Sequence, residues 1–418
     1  MLRIELARVK EGMELASAVM HPRTPGRLLL RPGYRLDSAA IGRMRDLGIP
    51  TLWVKFPSLA DVIKRPSQVL SAQQNAVLAR LSECFDHSGH ECFPEIPYAE
   101  FAGAVRSLVE RIRLEPFAAS MVSEMASSPG SLGEHSGATA FLSVVLGLKL
   151  EGYLLDQRKR VSGIAAKHVE SLGLGALLHD VGLLTLPPSL RGLREGDPGS
   201  EQARWRDHPH AGWSMVHAHI EPTAAAVVLH HHQRYDGAGF PAIPHSDGFE
   251  RPPSGSDIHV FSRIVSVADR FDEARRAKPP SSGCFATVEA LRRVVDDARA
   301  NVVDPVVVKA LTHVIPAFTP GSIVALSTGQ PAVVLEHNPL KPCRPLVQHV
   351  RTFEIPADLD EDFLGERIDL ATSGDVHVCH ADGRDVSGAI FDPLCADEFD
   401  VRALEPPTRG GCGRKRVA

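Results

Sequence analysis

The dipeptide His179-Asp180 closes the apolar segment Leu172–Leu178, and it constrains the chain more than any other feature. Two titratable side chains at the edge of a buried helix are costly to desolvate unless they are paired or bound to a metal. A carboxylate has two oxygens, so Asp180 can serve one cation beside His179 and bridge to a second. Side chains of the same kind recur at the edges of other apolar stretches. His135 precedes Ala138–Leu150, and His208 stands in Asp207-His208-Pro209. His230-His231-His232 follows Ala224–Leu229, and Asp269 ends Val267-Ala268-Asp269. A helix bundle can aim such residues inward at one shared site. With 20 histidines in the chain, any single one is more often a surface or satisfied core residue, so the recurrence carries the weight. Imidazole suits zinc, iron, manganese or nickel, and carboxylate adds preference for harder ions.

Apolar periodicity divides the rest. Residues 1–65 read as a small α/β module. In it, Arg27–Leu30 and Tyr34–Leu36 are expected to pair as a hairpin around Arg31-Pro32-Gly33. Asp37 is expected to cap a helix that runs through Leu47 and stops at Gly48, with Thr51–Val54 as a returning strand. Residues 66–130 read as a helical linker region, in which Val105, Leu108, Val109 and Ile112 form one stripe. Residues 131–315 read as an all-helical core, with apolar stretches Phe141–Leu150, Ile164–Leu178, Ala224–Leu229, Ile264–Phe271 and Val288–Val295. Over 316–400 the pattern changes to short runs, Ile323–Leu326, Ala332–Leu335 and Leu346–Val350, which predict a small β module. Residues 401–418 read as a disordered tail. The fold class is therefore multidomain: a mainly α-helical bundle between a small N-terminal α/β module and a small C-terminal β module.

A formal net charge of −5 argues against a nucleic-acid binder. Met1-Leu2-Arg3-Ile4-Glu5 does not begin an apolar leader, and no apolar run approaches the roughly 18 residues of a membrane helix. Seven scattered cysteines fit free thiols in a reducing compartment, so a cytoplasmic location without membrane contact is expected. Cys84, His87, His90 and Cys92 crowd four soft ligands into one stretch, but zinc sites separate two pairs by a longer loop. No P-loop and no G-x-S-x-G elbow is present.

Leu177-Leu178-His179-Asp180-Val181-Gly182 resembles the defining motif of the HD superfamily of metal-dependent phosphohydrolases. His231-His232-Gln233-Arg234-Tyr235-Asp236-Gly237-Ala238-Gly239-Phe240-Pro241 resembles the HHE…DGxGYP motif of its HD-GYP branch. His135-Ser136, His208-Pro209 and the Val-Ala-Asp ending at Asp269 follow in the expected order. The resemblance implies an α-helical HD-type bundle and a cyclic di-GMP phosphodiesterase. It implies that His135, His179, Asp180 and Asp269 hold one divalent ion. Asp180, His208, His231 and His232 would hold a second, with Asp180 bridging and His179-Asp180 at the catalytic heart. Iron or manganese is implied, and zinc also suits the ligand set. Some relatives take a third ion through a Glu one turn before the first His; Ser131 stands there, so two ions are expected. Arg234, Asp236, Gly237, Gly239 and Lys278 fall where substrate contacts are expected, and the resemblance implies the loop around Phe240 as a docking surface for signalling partners.

The chain departs from the family pattern at four places. Leu183 replaces a lysine, Gln233 the Glu of HHE, and Phe240 the Tyr of GYP. Arg276-Ala277-Lys278-Pro279-Pro280 replaces an RPYR-like stretch. A lost charge-assisted phosphate contact costs roughly 1.5–3 kcal/mol. The ligands persist while the substrate shell has thinned. That fits cyclic di-GMP hydrolysis, a regulatory domain that binds nucleotide or protein without turnover, or another HD-superfamily phosphohydrolase.

Overall fold

Helix α3 (Leu132–Lys149) is buried on nearly every side from Ser136 to Gly147, which a one-faced amphipathic helix could not be. The computed structural model describes residues 1–21, 27–59, 96–114, 132–193, 195, 199, 201–245, 248–276, 286–355 and 363–394. Around α3 pack α5 (Glu170–Leu178) and α8 (Val260–Arg276). Further out lie α4 (Glu151–Gln157), α6 (His208–Val216), α7 (Pro222–His230), α9 (Thr287–Arg299) and α10 (Pro305–Val314). Among the described residues, no single helix is long and apolar enough to cross a membrane.

Helix α2 (Tyr98–Leu114) corrects the idea of a helical linker. Its stripe of Val105, Leu108, Val109 and Ile112 is buried against α5 and α3, inside the main helical core. An apolar stripe of that width needs a partner, and the bundle supplies it. The expected stretch Ile164–Leu178 breaks into a short turn at Gly163–Ala166 and then α5, which leaves Ile164 exposed. The helical region also carries a two-stranded ribbon, β5 (Ile243–Pro244) with β6 (Glu250–Arg251).

In the N-terminal module, β1 (Leu2–Glu5) pairs antiparallel with β4 (Thr51–Val54), and α1 (Ser38–Asp46) lies between them in sequence. The Asp37 side chain caps α1 by accepting from the Ala40 amide at 2.7 Å, as expected of Asp at that position. The hairpin differs from expectation. β3 (Leu28–Leu30) pairs back with β2 (Val19–Met20), while the backbone of Tyr34 and Leu36 bonds to Leu15 and Met13. Gly33 turns the chain with φ +83° and separates the two pairings.

The C-terminal strands form a six-stranded antiparallel sheet with β7 (Ile323–Leu326), β8 (Pro331–Glu336), β9 (Leu346–Val350), β10 (Leu364–Asp369), β11 (Val378–Ala381) and β12 (Arg384–Asp385). Its order is β10-β9-β8-β7-β11-β12. Alternation along β8 decides where the sheet sits. Ala332 and Val334 face the helical core, whereas Val333 and Leu335 join the N-terminal core. The described residues of 1–59 and the C-terminal strands are therefore not two separate modules. They share one core, and the sheet lies between it and the bundle. The Arg3 amide bonds to the Gly321 carbonyl at 2.8 Å, which ties β1 to the sheet's entry.

Below the bundle surface, Arg263 of α8 donates to Asp304 at 2.7 Å, to the Tyr153 hydroxyl at 2.6 Å and to Gln157 at 2.7 Å. Asp304 also accepts from the Val306 amide at 2.9 Å, so one carboxylate caps α10 and neutralises a buried guanidinium. Removing one partner strands the other charge. Asp304→Ala is expected to lose about 3–5 kcal/mol in urea unfolding, and Lys159→Ala, at an exposed pair, less than about 1 kcal/mol. Equal losses would contradict this account.

Candidate metal centre

Four helix ends and one helix middle deliver the polar cluster. His179 caps the C-terminus of α5 and Asp180 follows it; His208 opens α6. His231 and His232 follow α7, His135 lies in the first turn of α3, and Asp269 sits within α8. Gly182 makes the approach possible. A Cβ there would lie 2.0 Å from the His208 carbonyl oxygen and 2.6 Å from the Gly212 nitrogen. Only glycine lets the turn after Asp180 press against the start of α6.

The seven side chains meet in two groups, Asp180 with His208, His231 and His232, and His135 with His179 and Asp269. Six are buried, and His135 keeps only 13% of its side-chain surface exposed. Asp180 faces both groups. Its Oδ1 lies 3.3 Å from His208 Nε2 and 3.6 Å from His231 Nε2. Its Oδ2 lies 3.5 Å from His179 Nε2 and 3.7 Å from His135 Nε2.

The outer nitrogen of four imidazoles has a fixed task. Nδ1 of His179 donates to the Ala176 carbonyl at 2.7 Å, that of His208 to Trp205 at 2.8 Å and that of His231 to Val228 at 2.8 Å. Nδ1 of His135 meets Asp272 at 2.8 Å. A carbonyl only accepts, so each neutral ring carries its proton outside and turns the Nε2 lone pair inward. Nε2 of His208 and His231 are 3.2 Å apart, and Nε2 of His179 and His232 are buried without a protein partner. Lone pairs converging in this way fit metal ions.

Charge follows the same layout. Burial pushes the His179 and His232 imidazoles down, His232 strongly, with neighbouring His231 adding to it. Burial would lower His135 too, but hydrogen bonds and charge from Asp269 and Asp272 outweigh it and hold that ring well above the usual range. Burial would raise Asp180, yet His179, His208 and His231 hold its carboxyl well below the ordinary value.

Asp272 is the functional residue that sequence reading missed. It lies three residues after Asp269 on the same face of α8, and that spacing was the available signal. Arg276, one turn on, donates to it from Nε and also faces Glu134 at 3.7 Å. The residues expected to contact substrate have these surroundings. Arg234 and Asp236 form a two-pronged pair within their own loop. Gly237 turns that loop at φ +82°, and Gly239 lies so close to the His232 and Arg234 backbone that a Cβ would meet it at 2.6 and 2.4 Å. Gln233 donates to the Pro241 carbonyl at 2.6 Å, which an ionised Glu could not do. Leu183 is buried with Leu186, Leu190, Trp205 and Phe240, and the Phe240 ring stacks on His232 at 4.7 Å. Lys278, Ser131, the Cys84–Cys92 group and the tail lie outside the described residues.

Residues 156–307 match the family model described as the HD domain, so the bundle is an HD domain. A cyclic di-GMP phosphodiesterase of Pseudomonas aeruginosa is 29% identical over 206 residues, 49% of this chain and 44% of that protein. The cyclic di-GMP phosphodiesterase response regulator RpfG of Xanthomonas campestris is 30% identical over 36% of this chain and 37% of its own length. The matched region thus spans less than half of either relative. A solved HD-GYP-type protein of Bdellovibrio bacteriovorus aligns with 74% of this chain and 97% of its own, at TM-score 0.42 and 16% identity. Together with the motifs, these matches support an HD-GYP family member.

Asp272→Asn keeps the shape of the carboxylate and removes its charge from His135. It is expected to weaken metal binding about 10- to 100-fold in the group of His135, His179 and Asp269, with the group around His208 retained. Titration with manganese, followed by bound-ion counting, reads this directly; unaltered affinity would remove Asp272 from the account.

Proposed function

We propose that this chain hydrolyses a phosphodiester bond of a cyclic dinucleotide, cyclic di-GMP foremost, to pGpG or GMP in cytoplasmic second-messenger signalling. The observation that carries this reading is Asp180, whose two oxygens each face a separate group of imidazoles. His135, His179 and Asp269 would hold one divalent ion, His208, His231 and His232 a second, and Asp180 both. Iron or manganese is favoured over zinc by the family resemblance. Such a pair supplies hydroxide near neutral pH and offsets charge on phosphate oxygens. The names of the P. aeruginosa and X. campestris relatives support the substrate class.

The protein's own residues prepare the site. Carbonyls of Ala176, Trp205 and Val228 hold three rings in one tautomer, so no proton need move before an ion binds. Burial strips water from the ligands and strengthens every charge interaction there. Trp205 lies against His208 and His232, with ring centroids 5.0 and 5.2 Å away, and keeps that side dry.

One observation favours a second reading, a regulatory domain that binds nucleotide or protein without turnover. Leu183 and Phe240, where the resembled HD-GYP motif has Lys and Tyr, pack together in an apolar cluster beside the ligands. A lysine placed at 183 would put its stem among Leu186, Leu190 and Trp205.

Protein purified without oxygen and loaded with iron or manganese is expected to bind two ions per chain and release pGpG or GMP from cyclic di-GMP. Asp180→Ala should lose both ions, because one carboxylate serves both groups. Binding without product would support the regulatory reading. Two ions retained by the variant would contradict the shared carboxylate.

A further inference from the structure

A phosphodiester is an anion, and the helix end carrying His179 and Asp180 offers it no cation, since Leu183 is buried among apolar side chains. The arginines near the centre are mostly committed. Arg234 is paired with Asp236, and Arg270 with Glu195 at 2.8 Å and Asp297 at 3.5 Å. Arg276 is paired with Asp272 and Glu134, and Arg191 donates to the carbonyls of Leu184 and Leu186 at 3.2 and 3.0 Å.

Arg206 differs from all of these. It is exposed, two residues before His208, and has no acidic partner among the described residues. Its guanidinium carbon lies 4.9 Å from the centroid of the Phe240 ring, the same ring that stacks on His232 at 4.7 Å. A cation–π contact fixes the plane of a guanidinium and leaves its N–H donors at the edge. Those donors form a fork suited to phosphate oxygens.

We infer that Arg206 is an anion-binding residue at the rim of the site, and that it takes the phosphate of a two-phosphate ligand that lies away from the buried imidazoles. The inference rests on the proposed cyclic dinucleotide chemistry and deepens it. The ligand groups are buried, whereas Arg206 is exposed and lies against Phe240, whose ring in turn stacks on His232. That places its donors at the rim, outside the buried groups. A cyclic dinucleotide carries two phosphodiesters held apart by two sugars, so one can sit at the ligands while the other meets the rim. In this arrangement Phe240 is a platform for Arg206, and the hydroxyl of a tyrosine is not needed for that task.

Calorimetric titration of the metal-loaded full chain tests this, with cyclic di-GMP and inorganic phosphate as separate probes. Arg206→Ala, at an exposed position that leaves the fold intact, should weaken cyclic di-GMP roughly tenfold at low ionic strength. The difference should shrink in high salt, and Arg206→Lys should recover part of it. Inorganic phosphate should shift less than about twofold, and bound metal should match the unaltered protein. Equal cyclic di-GMP affinity in Arg206→Ala would overturn the inference while leaving the proposed function standing. An equal loss for inorganic phosphate would also overturn it, by placing Arg206 at the buried ligands. Failure of the unaltered protein to bind cyclic di-GMP, cyclic GMP-AMP or cyclic di-AMP would overturn the proposed function, and this inference with it.

Discussion

Two buried imidazole nitrogens 3.2 Å apart, each with its lone pair turned inward, repel one another unless a cation lies between or beside them. The centre of this protein is built on that tension. His208 and His231 cannot relieve it by changing tautomer, because the carbonyls of Trp205 and Val228 require a donor on the far side of each ring. Asp180 and Asp269 bury two carboxylates beside these rings; burial alone would raise both carboxyls, and the surrounding histidines hold them below the ordinary range. Bound cations resolve both problems together, since they accept the lone pairs and neutralise the carboxylates.

The rest of the fold serves that convergence. Helix ends, rather than helix middles, bring His179, His208 and His231 together, so their Nδ1 groups can bond to carbonyls three residues upstream in the preceding turn. Gly182 and Gly239 let backbone approach backbone where a side chain would hold the segments apart. The six-stranded sheet lies between the bundle and the N-terminal core, and Arg275, at the end of the helix that carries Asp269, is buried where it feels Arg3 and Asp382. The N-terminal strand and the helix that carries Asp269 are thus parts of one continuous packed structure.

Much of the centre was legible in the sequence because its residues sit beside apolar helical runs, a pattern that survives without coordinates. His179-Asp180 and His231-His232 are adjacent pairs, and adjacency at a helix end leaves few alternatives. Asp272 was not legible in this way. It stands outside both ligand groups, and its role depends on where His135 of a distant helix turns its second nitrogen. Arg234 and Asp236 read in sequence as two separate contacts, whereas in space they pair with each other. The alternating strand β8 showed that a β structure was present, but a strand buried on both faces does not say which neighbours cover it. The shared core of the chain's two ends, and the return of β3 to β2, were therefore visible only in three dimensions.

The central claim is that one carboxylate, Asp180, joins two ions. Electron paramagnetic resonance of the manganese-loaded protein reads that junction most directly. A bridged pair predicts the broadened signal of two exchange-coupled manganese ions. The hyperfine pattern of isolated ions, seen at full occupancy, would contradict it.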